Sequence, residues 1–243
     1  MSAEPASVAA LWRYPVKSLV GEGLFEALVD ERGMAGDRLW SVRDPDGKFG
    51  SGKSTRRFRR MDGLLALSAE YDGDVPVVRF PDGRTISGDD PAVHAALSAH
   101  VGRPVSLARE EAVSHFDEGP VHLVTTSTLA WIEEAHRRPV DPRRLRPNLL
   151  VSTPGPGPVE DGWTGRRVRV GERLVLRIRG RMPRCVMVNL PQTGLDPDRD
   201  LLDRITRANQ GALGVVADVL RPGPVSVGDP VTVEEECPAQ VSG

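Results

Sequence analysis

The sequence predicts a mostly β (α+β) protein, barrel-like, with a few helices packed outside. Three observations point there. Short strand-like runs outnumber helical patterns along the 243 residues. An Asp-Gly turn, Pro81-Asp82-Gly83, joins the alternating run Val75 to Phe80 to Arg84-Thr85-Ile86 as a hairpin. No regular βαβ alternation runs through the chain, which argues against a doubly wound parallel sheet.

Taken in order, Val8 to Trp12 and Leu24 to Val29 read as short strands. Leu39 to Val42 is another, closed by the turn Asp44-Pro45-Asp46-Gly47. After the hairpin, Asp89 or Asp90 caps a helix that has Pro91 in its first turn and runs through Val93, Ala96 and Leu97 towards Gly102. A second block opens near Arg109. Val121 to Thr125 is a strand, and Ser127 or Thr128 caps the helix Leu129 to Arg138. Asn148 to Val151 is a strand that opens into the Pro-Gly loop Pro154 to Pro158. Val168 to Val170, Leu174 to Ile178 and Cys185 to Leu190 read as strands, and Asp200 to Ala208 as a helix. Leu213 to Leu220, the turn Arg221-Pro222-Gly223-Pro224, and Val225 to Glu234 read as a closing hairpin. The expected division is a first block over residues 1–108, a second over 109–236, and a tail over 237–243.

With 39% hydrophobic and 27% charged residues, the chain has the composition of a soluble globular protein with room for a real core. A net charge of −2 confines any anion binding to local basic clusters. No zinc finger, RNP motif or basic helix is present, so nucleic acid is not expected as a partner. No apolar run approaches membrane-spanning length, and the first residues lack a secretory pattern. Two distant cysteines, Cys185 and Cys237, make no disulfide framework. The expected setting is reducing and cytoplasmic, with no membrane partner. Cys237 reads as a tail residue without a role.

Gly47-Lys48-Phe49-Gly50-Ser51-Gly52-Lys53-Ser54 matches the phosphate-cradling string G-x-x-x-x-G-K-[ST]. Its context does not match. A buried strand should run into the first glycine, yet Asp44-Pro45-Asp46 intervenes, and the segment that should start the helix is the basic Thr55 to Arg60. A glycine-rich hairpin is the expectation. Its amides and cations could still hold a phosphate-bearing ligand without hydrolysing it.

Cys185 is the principal chemical candidate. It follows Pro183-Arg184 and precedes Val186-Met187-Val188. One reading makes it a small core hydrophobe. The other makes it a thiolate, favoured by flanking guanidinium groups and suited to electrophiles or soft metals.

Several motifs then align with one family. Trp12 to Leu19, with Tyr14-Pro15-Val16-Lys17-Ser18, resembles the opening of the N-terminal β-barrel domain of MOSC proteins. Gly33-Met34-Ala35-Gly36-Asp37-Arg38 resembles that domain's next signature. Arg146-Pro147-Asn148, Pro183-Arg184-Cys185, Leu213 to Val216 and Val225 to Val231 resemble successive elements of the MOSC domain proper. The order is collinear over nearly the whole chain. The family includes amidoxime-reducing enzymes and the C-terminal part of molybdenum cofactor sulfurases.

The resemblance implies a MOSC-type β-barrel that binds the molybdenum cofactor, molybdopterin with its metal. Cys185 would be the catalytic residue and the molybdenum ligand. Lys17, Ser18, Arg38, Ser51, Lys53, Thr125, Ser127, Arg146, Asn148 and Arg184 would be cofactor-binding. Arginine offers a bidentate fork to phosphate or pterin edges and lysine a point charge. Thr125, Ser127 and Thr128 lie at a strand-to-helix junction, where free amides and hydroxyls suit an anion or simply cap the helix. The expected activity is reduction of a small N-hydroxylated or related substrate by oxygen-atom abstraction. Electrons would come from a separate flavin or iron–sulfur reductase, because the chain has no second redox motif. Pyridoxal phosphate binding is a further expectation. The alternatives are a sulfur carrier using a Cys185 persulfide, a P-loop nucleotide binder, and a catalytically silent binding module. Ser51-Gly52-Lys53-Ser54 departs from the Thr-Ala-Arg-Gln-like string of the amidoxime reductases, and Val215-Val216 from an aromatic, which leaves the substrate open.

Overall fold

The computed structural model describes residues 5–234. Cys237 and the tail expected over 237–243 lie outside them. Its main feature is an eight-stranded sheet. Across it the strands run Val231–Glu234, Arg167–Val170, Leu174–Pro183, Ala212–Arg221, Val121–Thr125, Leu149–Ser152, Ser7–Arg13 and Glu22–Leu24. The first strand of the chain therefore lies beside Leu149–Ser152, with Leu11 opposite Leu149. Alternation drives this arrangement. Val168 and Val170 point inward while Arg167 and Arg169 face water. The buried face gathers Val8, Leu11, Leu123, Leu149, Leu176 and Val215 into one core. Each such side chain contributes about 2 kcal/mol relative to an exposed position.

A second sheet orders Ser106–Arg109, Trp40–Arg43, Phe49–Ser51 and Phe58–Arg60, with Val16–Lys17 pairing Trp40–Arg43. Helix α1 (Ala92–Val101) packs Val93 and Leu97 on its core, beside Leu19, Val42 and Phe80. Helices α2 (Thr126–His136) and α3 (Leu201–Asn209) share a third cluster with Val188 and Leu213.

The expected 75–86 hairpin is present, as Val75–Arg79 against Thr85–Ser87. Four local readings change. The run after Cys185 is a 3₁₀ turn, Val186–Asn189, not a strand. The carbonyls of Val188 and Leu190 accept from the Arg144 guanidinium, which takes the acceptors a strand neighbour would need. The closing hairpin does not form. Pro222 and Pro224 lack amide donors, so the chain turns away. Gly223–Ser226 then pairs Glu26–Asp30, and Val231–Glu234 pairs Arg167–Val170. One parallel crossover exists: Val121–Thr125, α2, and Leu149–Ser152. Finally, α2 is capped by Thr125, whose hydroxyl accepts from the Thr128 amide at 3.2 Å; Ser127 and Thr128 sit inside its first turn.

The phosphate-loop string is a hairpin. Asp44 accepts from the Lys48 amide across the turn at Gly47, and Phe49–Ser51 pairs in parallel with Phe58–Arg60. No helix begins at Ser54.

Candidate functional site

The strand Leu174–Pro183 carries irregularities between Ile178 and Gly180 and between Arg181 and Pro183. Such bulges bend a strand and end its pairing. The Arg184 amide still reaches the Gly211 carbonyl at 2.8 Å, after which the backbone leaves the sheet. Cys185 is extended there, half-buried, and caps the short turn that follows.

Cys185 lines a hollow of about 160 Å³. Lys17, Ser18, Arg38, Ser51 and Lys53 line it from the first half of the chain. Arg146, Arg184 and Cys185 line it from the second. Three of these residues hold left-handed backbone: Ser18 (φ 67°), Arg38 (φ 51°) and Arg146 (φ 53°). Among the described residues only five non-glycine positions do so, which makes this hollow the main site of backbone strain. Each costs on the order of 1–3 kcal/mol and persists only where surrounding structure enforces it.

The cations differ in how they are satisfied. Lys17 is buried, donating to the His115 carbonyl at 2.8 Å and to Asp117 at 2.5 Å. Burial pushes its amine down to about 8, against the pull of Asp117. Arg38 pairs with fully buried Asp37 and lies 4.8 Å from the centre of the Tyr14 ring. Arg146 lies 4.2 Å from the same ring. Both of its terminal nitrogens are buried without a hydrogen-bond partner. Burial, then the charge of Arg38, pushes Arg146 down to about 10, so it stays a cation at neutral pH. An unpaired buried guanidinium is costly by itself, and an anion in the hollow would offset that cost.

Arg184 is different. It donates to the carbonyls of Leu145 and Leu213 and to His122 Nε2 at 2.6 Å. Its donors are spent on the protein, so it buttresses the wall. His122 is buried and held well below its usual range by burial and then by Arg184. It is neutral: Nε2 accepts from Arg184 while Nδ1–H donates to the Arg146 carbonyl at 3.1 Å.

Four residues expected at the site lie elsewhere. Asn148 is fully buried; its oxygen accepts from the His122 amide and its nitrogen donates to the Trp12 carbonyl. It ties strands together and does not line the hollow. Thr125 and Thr128 give their hydroxyls to the carboxylate of buried Glu160, at 2.6 and 2.5 Å, and Ser127 bonds Thr153. The anion at this strand-to-helix junction is the protein's own carboxylate, brought by a distant loop.

The sequence reading passes over Tyr14, the shared platform of Arg38 and Arg146, although it falls inside the motif Tyr14-Pro15-Val16-Lys17-Ser18. It also passes over Asp117, His122 and Arg144. Their partners are 100, 62 and 44 positions away, and no local pattern announces them. Among the described residues no three His, Cys, Asp or Glu side chains gather as a metal cluster. A metal held by Cys185 would need its other ligands from a cofactor.

The donor set fits such a group: a soft sulfur residue and an arginine with unpartnered terminal nitrogens line one hollow with Lys17, Arg38 and Lys53. No helix among the described residues is long and apolar enough to cross a membrane.

Residues 85–232 match the MOSC domain model, and residues 5–118 the MOSC N-terminal beta barrel domain model. Mitochondrial amidoxime-reducing component 1 of Mus musculus is 25% identical over 93% of this chain and 81% of its own length. Molybdenum cofactor sulfurase of Oryza sativa subsp. japonica is 24% identical over 74% of this chain but only 28% of its own length. The crystal structure of the YUAD protein from Bacillus subtilis superposes with a TM-score of 0.54, covering 97% of this chain and 98% of that one at 17% identity, a likeness of fold. The expectation of pyridoxal phosphate binding finds no support in these relatives.

Proposed function

The chain belongs to the MOSC domain family, and from that premise we propose that it is a molybdenum-cofactor-dependent oxidoreductase reducing N-hydroxylated or related substrates. One observation supports this above the rest: Cys185 lines the same hollow as Arg146, whose buried terminal nitrogens have no hydrogen-bond partner. Cys185 would ligate molybdenum. Arg146, with Arg38, Lys17 and Lys53, would hold the phosphate and pterin edges, and Ser51 would add a hydroxyl; the Ser18 hydroxyl is spent on the Gly50 carbonyl at 2.9 Å. When bound, the cofactor supplies two-electron chemistry with oxygen-atom transfer.

The chain's own part is placement. The strained backbone at Ser18, Arg38 and Arg146 falls at three residues that line one small volume. His122 and Arg184 lock the Arg146 backbone, so that charge does not need to reorganise during turnover. In the overall reaction the substrate N–O bond breaks. Two electrons arrive from a separate flavin or iron–sulfur reductase, two protons come from solvent, and the oxygen leaves as water. The reducing cytoplasm is the expected setting.

The test is molybdenum and pterin content in a cofactor-producing host, beside N-hydroxy reduction with an artificial donor. Wild type should carry near-stoichiometric metal, and Cys185→Ser should lose most of it and its turnover. Cyanide-releasable sulfur on Cys185 without molybdenum would replace the enzyme by a sulfur carrier.

A further inference from the structure

A second hollow of about 740 Å³ lies against the first. Its walls include Leu64, Leu65, Ala66, Phe80, Leu190 and Pro191. The partition between the two is thin. Ser51 and Lys53 line the Cys185 hollow, whereas Gly52 between them lines the apolar one. Met187, two residues beyond Cys185, lines both. The Gly52 amide donates to the Met187 sulfur at 3.2 Å, so the wall is one backbone segment and one side chain. A Cβ on Gly52 would sit 2.5 Å from Leu190 Cδ1 and 2.7 Å from Met187 Sδ. Both atoms are the far ends of flexible side chains, so an added methyl would displace them. Methionine is unbranched and repacks readily, which makes it a movable divider.

We propose that this cavity binds the apolar body of the substrate, an aryl or branched-alkyl group, whose oxygen-bearing nitrogen passes Met187 to reach the reaction centre. The lining argues for the class. Apolar walls dominate, and the two arginines at the rim, Arg60 and Arg79, are paired with Asp62 and Glu70. A ligand with a hydrophobic body and a small polar head fits this division. The identity of the head rests on the function proposed above; the affinity of the cavity for an apolar ring does not.

The experiment uses the holoprotein and two probes, benzamidoxime and hydroxylamine, which share the N–OH group and differ in the apolar body. Binding of benzamidoxime is followed by calorimetry and by the methyl NMR signals of the methionines. Signals of Met61 and Met187, which line the cavity, should move, and that of Met34, in the large-sheet core, should not. Ala66→Phe fills the cavity and should weaken benzamidoxime binding and raise its KM about tenfold relative to the KM for hydroxylamine. Gly52→Ala thickens the partition and should act in the same direction if Ala66→Phe does not fold. Unmoved Met61 and Met187 signals, or KM values that shift together for both probes, would overturn the proposal. Benzamidoxime binding sensitive to Ala66→Phe, with neither probe reduced by wild type, would sink the reductase reading and leave the cavity standing.

Discussion

Arg38 donates to the backbone carbonyl of Arg146 across 3.3 Å, although 108 positions separate the two residues. Their guanidinium groups lie over one ring, Tyr14, yet only Arg38 has a carboxylate. Two cations against one aromatic ring, one of them without a hydrogen-bond partner, form an arrangement that an anionic ligand stabilises.

Arg146→Met keeps an unbranched stem beside Tyr14 and deletes the unpaired charge. The metal-free protein should gain about 1 kcal/mol in urea unfolding, because a desolvated donor set disappears. Molybdenum content should fall at least tenfold. Full metal loading in this variant would remove Arg146 from the cofactor site.

Glu160 accepts from the hydroxyls of Thr125 and Thr128 and from the Thr125 amide. Glu160→Ala leaves these donors stranded in the core and should cost about 3 kcal/mol. Glu160→Gln, which keeps an acceptor, should cost clearly less. Equal losses in the two variants would show that packing, not hydrogen bonding, dominates there.

Mild acid should destabilise the protein through two histidines. Burial pushes His115 down to about 4 and holds His122 well below its usual value of 6.5. As pH falls from 6.5 towards 4, the unfolded chain takes up protons that the folded one refuses, so stability drops across that window. The raised Glu160 carboxyl works in the opposite sense. Urea midpoints between pH 7.5 and 4 should fall less steeply in His115→Gln than in wild type.

Lys17 predicts an alkaline effect. Its folded pKa of about 8 lies below its ordinary 10.5. Between these values the unfolded state holds the extra proton, so the burial penalty is relieved and stability rises with pH. Lys17→Met should flatten that rise. A rise of the same size in the variant would assign it to other groups.

Lys53 lies in the connection between the parallel strands Phe49–Ser51 and Phe58–Arg60, not at a strand-to-helix phosphate cradle. Millimolar ATP should leave the melting temperature of wild type and of Lys53→Ala unchanged. A Lys53-dependent shift would restore a nucleotide site.

Much of the fold was legible in the sequence because strand alternation and turn chemistry are local. The Asp82-Gly83 hairpin, α1 with Gly102 at its end, and the breaker loop after Val151 all follow from neighbours in the chain. The motifs around Lys17, Arg38, Arg146 and Cys185 also named residues that share a hollow. Long-range competition for hydrogen bonds was not legible. Arg144 coils the segment after Cys185 by taking its carbonyls, and two prolines send the last strands to separate partners. Asn148 and the threonines had the right chemistry for a ligand, but tertiary structure supplied protein partners first. Local patterns thus determined which segments are strands and which side chains carry reactive groups. Only the packed chain decided which of those groups stayed unpaired, because satisfaction of a polar atom depends on what the whole fold brings within 3 Å of it.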